Sequence, residues 1–308
     1  MISKQNQKHL VVIAGPTAVG KTELCIELAE SFGTEIISAD SRQIFKEMKI
    51  GTAKPTHEEL KKVKHHFIDY KTIHEFYTAG MFELDVMQFL EKYFQKNDLI
   101  IMTGGSGLYI NAVCEGIDAL PRVEPEIRSS LIKQYNEEGI ESLRYSLKKL
   151  DPASYDKIDL KNPKRILKAL EITIQTGKPY SSFLTKTRKK RTFNIHKIGL
   201  TRDRQELYER INDRVDKMIE EGLVEEARNL HQFKHLNPLN TVGYKELFDY
   251  FDGKIPFKEA IRLIKRNSRR YAKRQMTWFS RDPEIKWFNS EQKEEIKSYI
   301  KKQTTICS

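Results

Sequence analysis

The sequence predicts an α/β protein: a parallel sheet core, a helical insertion domain and a helical C-terminal region. Three observations carry that prediction. An apolar run, Leu10-Val11-Val12-Ile13-Ala14, leads through a glycine-containing loop into a helical pattern in which Leu24, Leu28 and Cys25, Ala29 share a spacing of four. Strand-like and helix-like segments then alternate as far as residue 107, the pattern of parallel strands joined by helices. Residues 121–191 hold helical patterns and no convincing strand, which divides the chain into a core of 1–120 with 192–308 and an insertion of 121–191.

The loop is Gly15-Pro16-Thr17-Ala18-Val19-Gly20-Lys21-Thr22, a G-x-x-x-x-G-K-[ST] phosphate loop between strand and helix. It makes the core P-loop NTPase-like. Glycines let backbone N–H groups crowd an anion, and the helix N-terminus adds partial positive charge. Lys21 supplies a cation to phosphate oxygens, and the Thr22 hydroxyl suits a magnesium ion. A connecting turn is the bland alternative, but loop, flanks and Lys-Thr agree.

Glu35-Ile36-Ile37-Ser38-Ala39-Asp40 reads as a short strand ending in an acid. Met81, Leu84, Asp85, Met87, Gln88, Phe89 and Phe94 set a helical pattern over 78–95. Leu99-Ile100-Ile101-Met102 is a third strand, closed by Thr103-Gly104-Gly105-Ser106-Gly107. Ligands of such sheets bind beyond the carboxyl ends of the strands, so Gly15, Asp40 and Thr103–Gly105 are expected at one pocket. Asp98 precedes its strand rather than following it, so Asp40 is the one acid at a strand's carboxyl end. It can hold magnesium indirectly or serve as a general base.

In the insertion, Pro121 and Pro125 open a helix with Ile127, Leu131 and Tyr135 inward. Asn162-Pro163 starts another, with Ile166, Leu167, Leu170 and Ile174 on one face and Gly177 as its stop. The run Lys186-Thr187-Arg188-Lys189-Lys190-Arg191 fits a solvated loop or nucleic-acid contact equally well. His196–Leu200 returns to a strand. Residues 203–231 predict one long helix with Leu207, Ile211, Val215, Met218, Leu223, Ala227 and Leu230 inward. Arg210 and Arg214, four apart, read as a phosphate clamp or as surface charges partnered by Glu206 or Asp213.

Composition bounds the function. The 308 residues carry 54 Lys+Arg against 43 Asp+Glu, a net charge of +11. Such a balance favours a polyanion, most simply nucleic acid. The cations concentrate in 262–281, interleaved with Tyr271, Trp278 and Phe279 and without Glu, which suits phosphate contacts plus base stacking. No run approaches the roughly 18 apolar residues of a membrane span. The polar start, Met1–His9, lacks a signal peptide's apolar stretch, so a cytoplasmic protein with no membrane partner is expected. Cys25, Cys114 and Cys307 are scattered, which argues against a disulfide frame or zinc site. The pair His65-His66 reads as structural.

A default P-loop reading is a small-molecule kinase. The segments taken together point elsewhere: GPTAVGKT at 15–22, ISADSRQIF at 37–45, IGTAKPT at 50–56, HHFID at 65–69 and TGGSGLYI at 103–110. They are followed by DP at 151–152, NPKRILKALEI at 162–172, LYERINDRVDKMIEEGLVEEARNL at 207–230, VGYKEL at 242–247 and AKRQMTWF at 272–279. Over nearly the whole chain this resembles the bacterial tRNA dimethylallyltransferases, the IPP transferase family.

The resemblance implies transfer of a dimethylallyl group from dimethylallyl diphosphate to N6 of adenosine 37, beside the tRNA anticodon, with diphosphate leaving. The P-loop would hold the diphosphate, with Mg2+ and no ATP. Asp40 would take a hydrogen bond or proton from the adenine amine, Thr17 would lie by the reacting carbon, and Lys21 and Arg214 would bind the diphosphate. Ser41, Arg42 and Gln43 would hold the flipped-out base. Ser106, Arg128, Lys164-Arg165-Ile166-Leu167-Lys168, Val242-Gly243-Tyr244-Lys245, Lys273 and Arg274 match tRNA-contacting positions. Phe45 stands where the family usually has Tyr, and Ser106 where it has Thr. A monomer is expected. An RNA-binding module with a vestigial loop is opposed by the intact Lys21-Thr22 and Asp40. The basic C-terminus opposes a free-AMP acceptor.

Overall fold

The computed structural model describes residues 7–185 and 187–304. Lys186 of the basic run, residues 1–6 of the polar start and Cys307 lie outside the described residues. The chain divides into two compact units. One runs through Glu115 and resumes at Lys190; the other is Gly116–Lys189.

The first unit is built on a parallel sheet. Its strands are β1 (His9–Ala14), β2 (Ile36–Ser38), β3 (His65–His66), β4 (Leu99–Gly104), β5 (Asn194–Thr201) and β6 (Lys286–Asn289), in the order β3-β2-β4-β1-β5-β6. The four central strands are those the apolar runs predict. The edge strands β3 and β6 escape that reading because His65-His66 and Lys286-Trp287-Phe288-Asn289 form no aliphatic run. His65 and His66 form β3, and His66 Nε2 lies 2.5 Å from Glu35 Oε2, a structural pairing.

Helices cover the sheet: α1 (Lys21–Phe32), α2 (His57–Lys62), α3 (Ala79–Tyr93) and α4 (Gly107–Glu115). Leu24, Cys25, Leu28 and Ala29 of α1 pack on β1 and β4 as their spacing requires. The helical pattern over 78–95 is α3, and the structure decides which face turns inward. Met81 and Leu84 are exposed, and Phe82, Glu83, Val86 and Leu90 are buried. The reason is an ion pair: Glu83 accepts from Arg191 at 2.8 Å, which draws an acid inward. Arg191 is thereby removed from the basic run, since it also donates to the Ala112 and Val113 carbonyls.

The second unit is helical: α5 (Pro125–Glu138), α6 (Ile140–Leu150), α7 (Pro152–Tyr155) and α8 (Pro163–Thr176). Its core gathers Leu131, Leu143, Leu147, Ile166, Leu167 and Leu170, with Ile127 and Tyr135 against them. Asn162 caps α8 and Gly177 ends it as predicted, but Ile174 is 46% exposed and belongs to the outer face. Asp151 is fully buried, and its carboxylate accepts from the backbone N–H and hydroxyl of both Ser154 and Ser181. Burial pushes this carboxyl up, yet those four bonds outweigh it and hold it below the usual range. Asp151→Ala is expected to cost about 3 kcal/mol or more, read as a lower urea midpoint. The wild-type contribution is present above the unfolded carboxyl pKa and is lost as pH falls through the lowered folded one.

The C-terminal part returns to the first unit with α9 (Arg204–Glu220), α10 (Leu223–Leu230), α11 (Tyr244–Phe251), α12 (Phe257–Phe279) and α13 (Lys293–Thr304). The single helix expected over 203–231 is two. Gly222 takes φ +99, a left-handed conformation that stops α9 and starts α10.

Candidate active site

β4, β1 and β2 lie together in the sheet, so their carboxyl ends bring Thr103–Gly105, Gly15 and Asp40 to one place, as topology predicts. Lys21 opens α1 and donates to the Gly15 and Pro16 carbonyls at 2.9 and 2.7 Å. Burial, then the charge of Arg214, lowers its pKa to about 8, with Asp40 opposing. A polyphosphate bound there would restore the charged form. Its affinity is therefore expected to be level below pH 8 and to fall as pH rises above it, with proton uptake on binding, measurable by calorimetry in two buffers.

Arg210 and Arg214 of α9 do not pair with Glu206 or Asp213. Arg210 Nε donates to the Ala18 carbonyl at 2.9 Å, and Arg214 donates to Thr17 Oγ1 at 3.2 Å and to the Ala53 carbonyl at 3.4 Å. Both reach the P-loop, which favours the clamp reading. Desolvation acts against the charge of Arg214, and Asp40 supports it.

Asp40 follows β2. Its Oδ1 accepts the backbone N–H groups of Arg42 and Gln43 at 2.8 and 3.2 Å, an Asx turn that fixes the carboxylate. Oδ2 has no hydrogen-bond partner among the described residues. Ser41 N–H donates to Ser106 Oγ at 2.9 Å, which ties the Asp40 turn to the loop after β4. Arg42 is largely desolvated, with Asp40, Tyr109 and Tyr271 as its electrostatic neighbours. Burial pushes Tyr109 up to about 12, so it stays a neutral phenol. A cavity of about 320 Å³ opens beside Arg42, lined also by Ser41, Phe45, Phe76, Tyr77 and Tyr109. The Gln43 amide is engaged inside the protein: it accepts from Ser38 Oγ and donates to the Thr52 and Ala53 carbonyls.

Gln275 of α12 escapes sequence reasoning. It is 6% exposed, accepts the Thr17 N–H at 2.9 Å and donates to the Gly105 carbonyl at 3.0 Å. A Cβ at Gly105 would lie 2.2 Å from its Nε2, so a side chain there would displace the Gln275 amide from these contacts. Its one signal was an uncharged amide inside a cation-dense helix. The same helix exposes Lys273 and Arg274.

Several expected contact residues are core residues. Ile166 and Leu167 are buried at 0% and 8%, and Tyr244 is fully buried with its hydroxyl on Glu226. Their side chains have no face to offer an RNA. Lys164, Arg165, Val242 and Lys245 are exposed or half-buried, as is Lys168, whereas Gly243 is buried. Arg128 lies at 2.8 Å from the buried Glu171 carboxylate within the helical unit.

Thr22 offers a hydroxyl at the start of α1. Among the described residues one grouping has metal-ligand spacing, Glu115, Asp282 and Glu284. The Lys197 ammonium already occupies it, at 3.2, 2.7 and 2.9 Å from the three carboxylates. No helix among the described residues is long and apolar enough to cross a membrane. Cys25 and Cys114 are buried, and burial pushes both thiols up to about 12.

Comparison with known proteins agrees with this geometry. The family model described as IPP transferase matches residues 43–282. The chain is 54% identical over 293 residues to "tRNA dimethylallyltransferase 1" of Bacteroides fragilis, covering 95% of this chain and 97% of that one. It is equally 54% identical to "tRNA dimethylallyltransferase" of Christiangramia forsetii, with 95% and 97% covered. The solved tRNA isopentenylpyrophosphate transferase of Bacillus halodurans superposes with a TM-score of 0.72 at 38% identity, covering 97% of each chain. A eukaryotic dimethylallyltransferase acting on tRNA shares the fold, with a TM-score of 0.77 at 24% identity over 97% of this chain and 79% of that one. These relatives lend no support to a kinase.

Proposed function

The chain belongs to the IPP transferase family, and from that premise we propose that it transfers a dimethylallyl group from dimethylallyl diphosphate to N6 of adenosine 37 in tRNA. The observation that carries this reading is the setting of Asp40. Its turn aims a carboxylate with a free Oδ2 into electrostatic reach of Lys21 and Arg214. A proton acceptor facing phosphate-binding cations serves the attack of any N–H or O–H nucleophile on a group bound through a phosphate; the family, in which the relatives are tRNA dimethylallyltransferases, makes that nucleophile an amine.

In the reaction the N6 nitrogen attacks C1 of the allyl group, the C1–O bond breaks and diphosphate departs with the electron pair. Lys21, Arg214 and the loop amides neutralise the charge that grows on the departing oxygens. The N6 proton passes to Asp40 Oδ2. Thr17, held by Arg214 and Gln275, stands at the junction of donor and acceptor. The Thr22 hydroxyl would hold magnesium, which would supply further positive charge to the leaving group. The exposed cations of α12, with Lys164, Arg165 and Lys168, would grip the RNA phosphates, and Arg42 and Ser41 would receive the extruded base. The enzyme would act as a cytoplasmic monomer.

Mass spectrometry of an anticodon stem-loop incubated with protein, magnesium and dimethylallyl diphosphate, without ATP, tests the reading. A gain of one dimethylallyl group on the adenosine 3′ of the anticodon is expected. No gain, with ATP consumed on a small molecule instead, would return the P-loop to kinase chemistry.

A further inference from the structure

Glu226 of α10 looks in sequence like a solvated helix acid. In the structure both its oxygens are filled by donors from elsewhere. Oε2 accepts the N–H groups of Lys49 and Ile50, each at 2.9 Å. Oε1 accepts the Gly51 N–H at 2.9 Å and the Tyr244 hydroxyl at 2.6 Å. Three successive backbone amides thus form an anion-binding nest closed on an internal carboxylate. Lys54, the nearby cation, is committed to Asp69 and the Phe45 carbonyl, both at 2.5 Å. A Cβ at Gly51 would lie 2.6 Å from the Tyr244 ring, so the contact demands glycine.

The pinned turn ends at Ala53, which takes φ +48, a conformation costly for a residue with a side chain. Its N–H donates to the Ile50 carbonyl at 2.9 Å. Its carbonyl accepts from Gln43 at 3.0 Å and from Arg214 at 3.4 Å, and Arg214 also donates to Thr17. One strained carbonyl therefore meets the Asp40 turn on one side and the phosphate clamp on the other.

We propose that Glu226 is a positioning residue that sets Arg214 for the diphosphate by holding the turn 49–53. The inference rests on the donor-site reading above. In Glu226→Gln one oxygen becomes an NH2 donor facing backbone N–H groups, so the nest opens while shape is kept.

The test is calorimetry with inorganic diphosphate and magnesium, joined to steady-state kinetics. Glu226→Gln is expected to weaken diphosphate binding about tenfold and lower kcat, leaving tRNA affinity unchanged. In an Arg214→Lys background the same substitution should cause little further loss, because the clamp it serves is already impaired. A purely structural role would instead cost the same in both backgrounds, and that result overturns the proposal. So does a Glu226→Gln protein that binds diphosphate like wild type. Tyr244→Phe removes one donor and should shift binding the same way by less, which keeps the test open if Glu226→Gln fails to fold. A wild-type protein that binds no diphosphate overturns the donor-site reading and this inference with it.

Discussion

Asp40→Asn is expected to lower kcat by about 10²–10⁴-fold while leaving tRNA affinity nearly unchanged. The substitution is chosen because Asn keeps an oxygen at the Oδ1 position. The turn through the Arg42 and Gln43 amides survives, and only the free Oδ2 changes from acceptor to donor. Single-turnover prenylation of a stem-loop, beside fluorescence titration of the same RNA, separates the two effects. Turnover like the wild type would reduce Asp40 to a group that merely shapes its loop. Lys273→Ala is the counterpart. Its side chain is exposed on α12, so binding should weaken, with the salt slope reduced by about 1, and turnover at saturating RNA should hold.

The second large effect is expected at Arg214. Arg214→Ala should lower kcat/KM for the donor by about 10²–10³-fold, the loss typical of removing one preorganised charge from a developing anion. Arg214 spans two contacts, Thr17 Oγ1 at 3.2 Å and the Ala53 carbonyl at 3.4 Å. Arg214→Lys should recover only part of the loss, since an ammonium is a point charge and cannot bridge both. The measurement is donor-dependent kinetics with inorganic diphosphate as inhibitor. An inhibition constant unchanged in Arg214→Ala would place the diphosphate elsewhere.

Much of the fold was legible because its signals are local. Leu10–Ala14, Ile36–Ser38 and Leu99–Gly104 are apolar or nearly apolar runs bounded by turns, and buried parallel strands need no more than that; Asn194–Thr201 is legible only over its second half, around Ile198 and Leu200. What escaped the sequence depends on a distant partner or on backbone conformation. Glu83 lies inward on α3 because Arg191 meets it, and no periodicity reveals that. Gly222 breaks a pattern that continues across it, because hydrophobic spacing does not register a left-handed φ.

The phosphate-loop motif was legible in the sequence alone. A strand, the Gly15–Thr22 loop and a helix start place Lys21 and Thr22 by covalent geometry and helix polarity, whatever else the chain does. Asp40 was legible for the same reason, as an acid at a strand's carboxyl end. Tertiary structure decided which groups support them. Gln275 reaches Thr17 across 258 residues and Gly105 across 170. Arg214 meets Thr17 across 197, and Glu226 holds Gly51 across 175. Tyr244, Ile166 and Leu167, which motif matching placed against RNA, were turned inward. Hydrogen bonds and burial depend on which surfaces meet, and that is a property of packed elements, not of spacing along the chain.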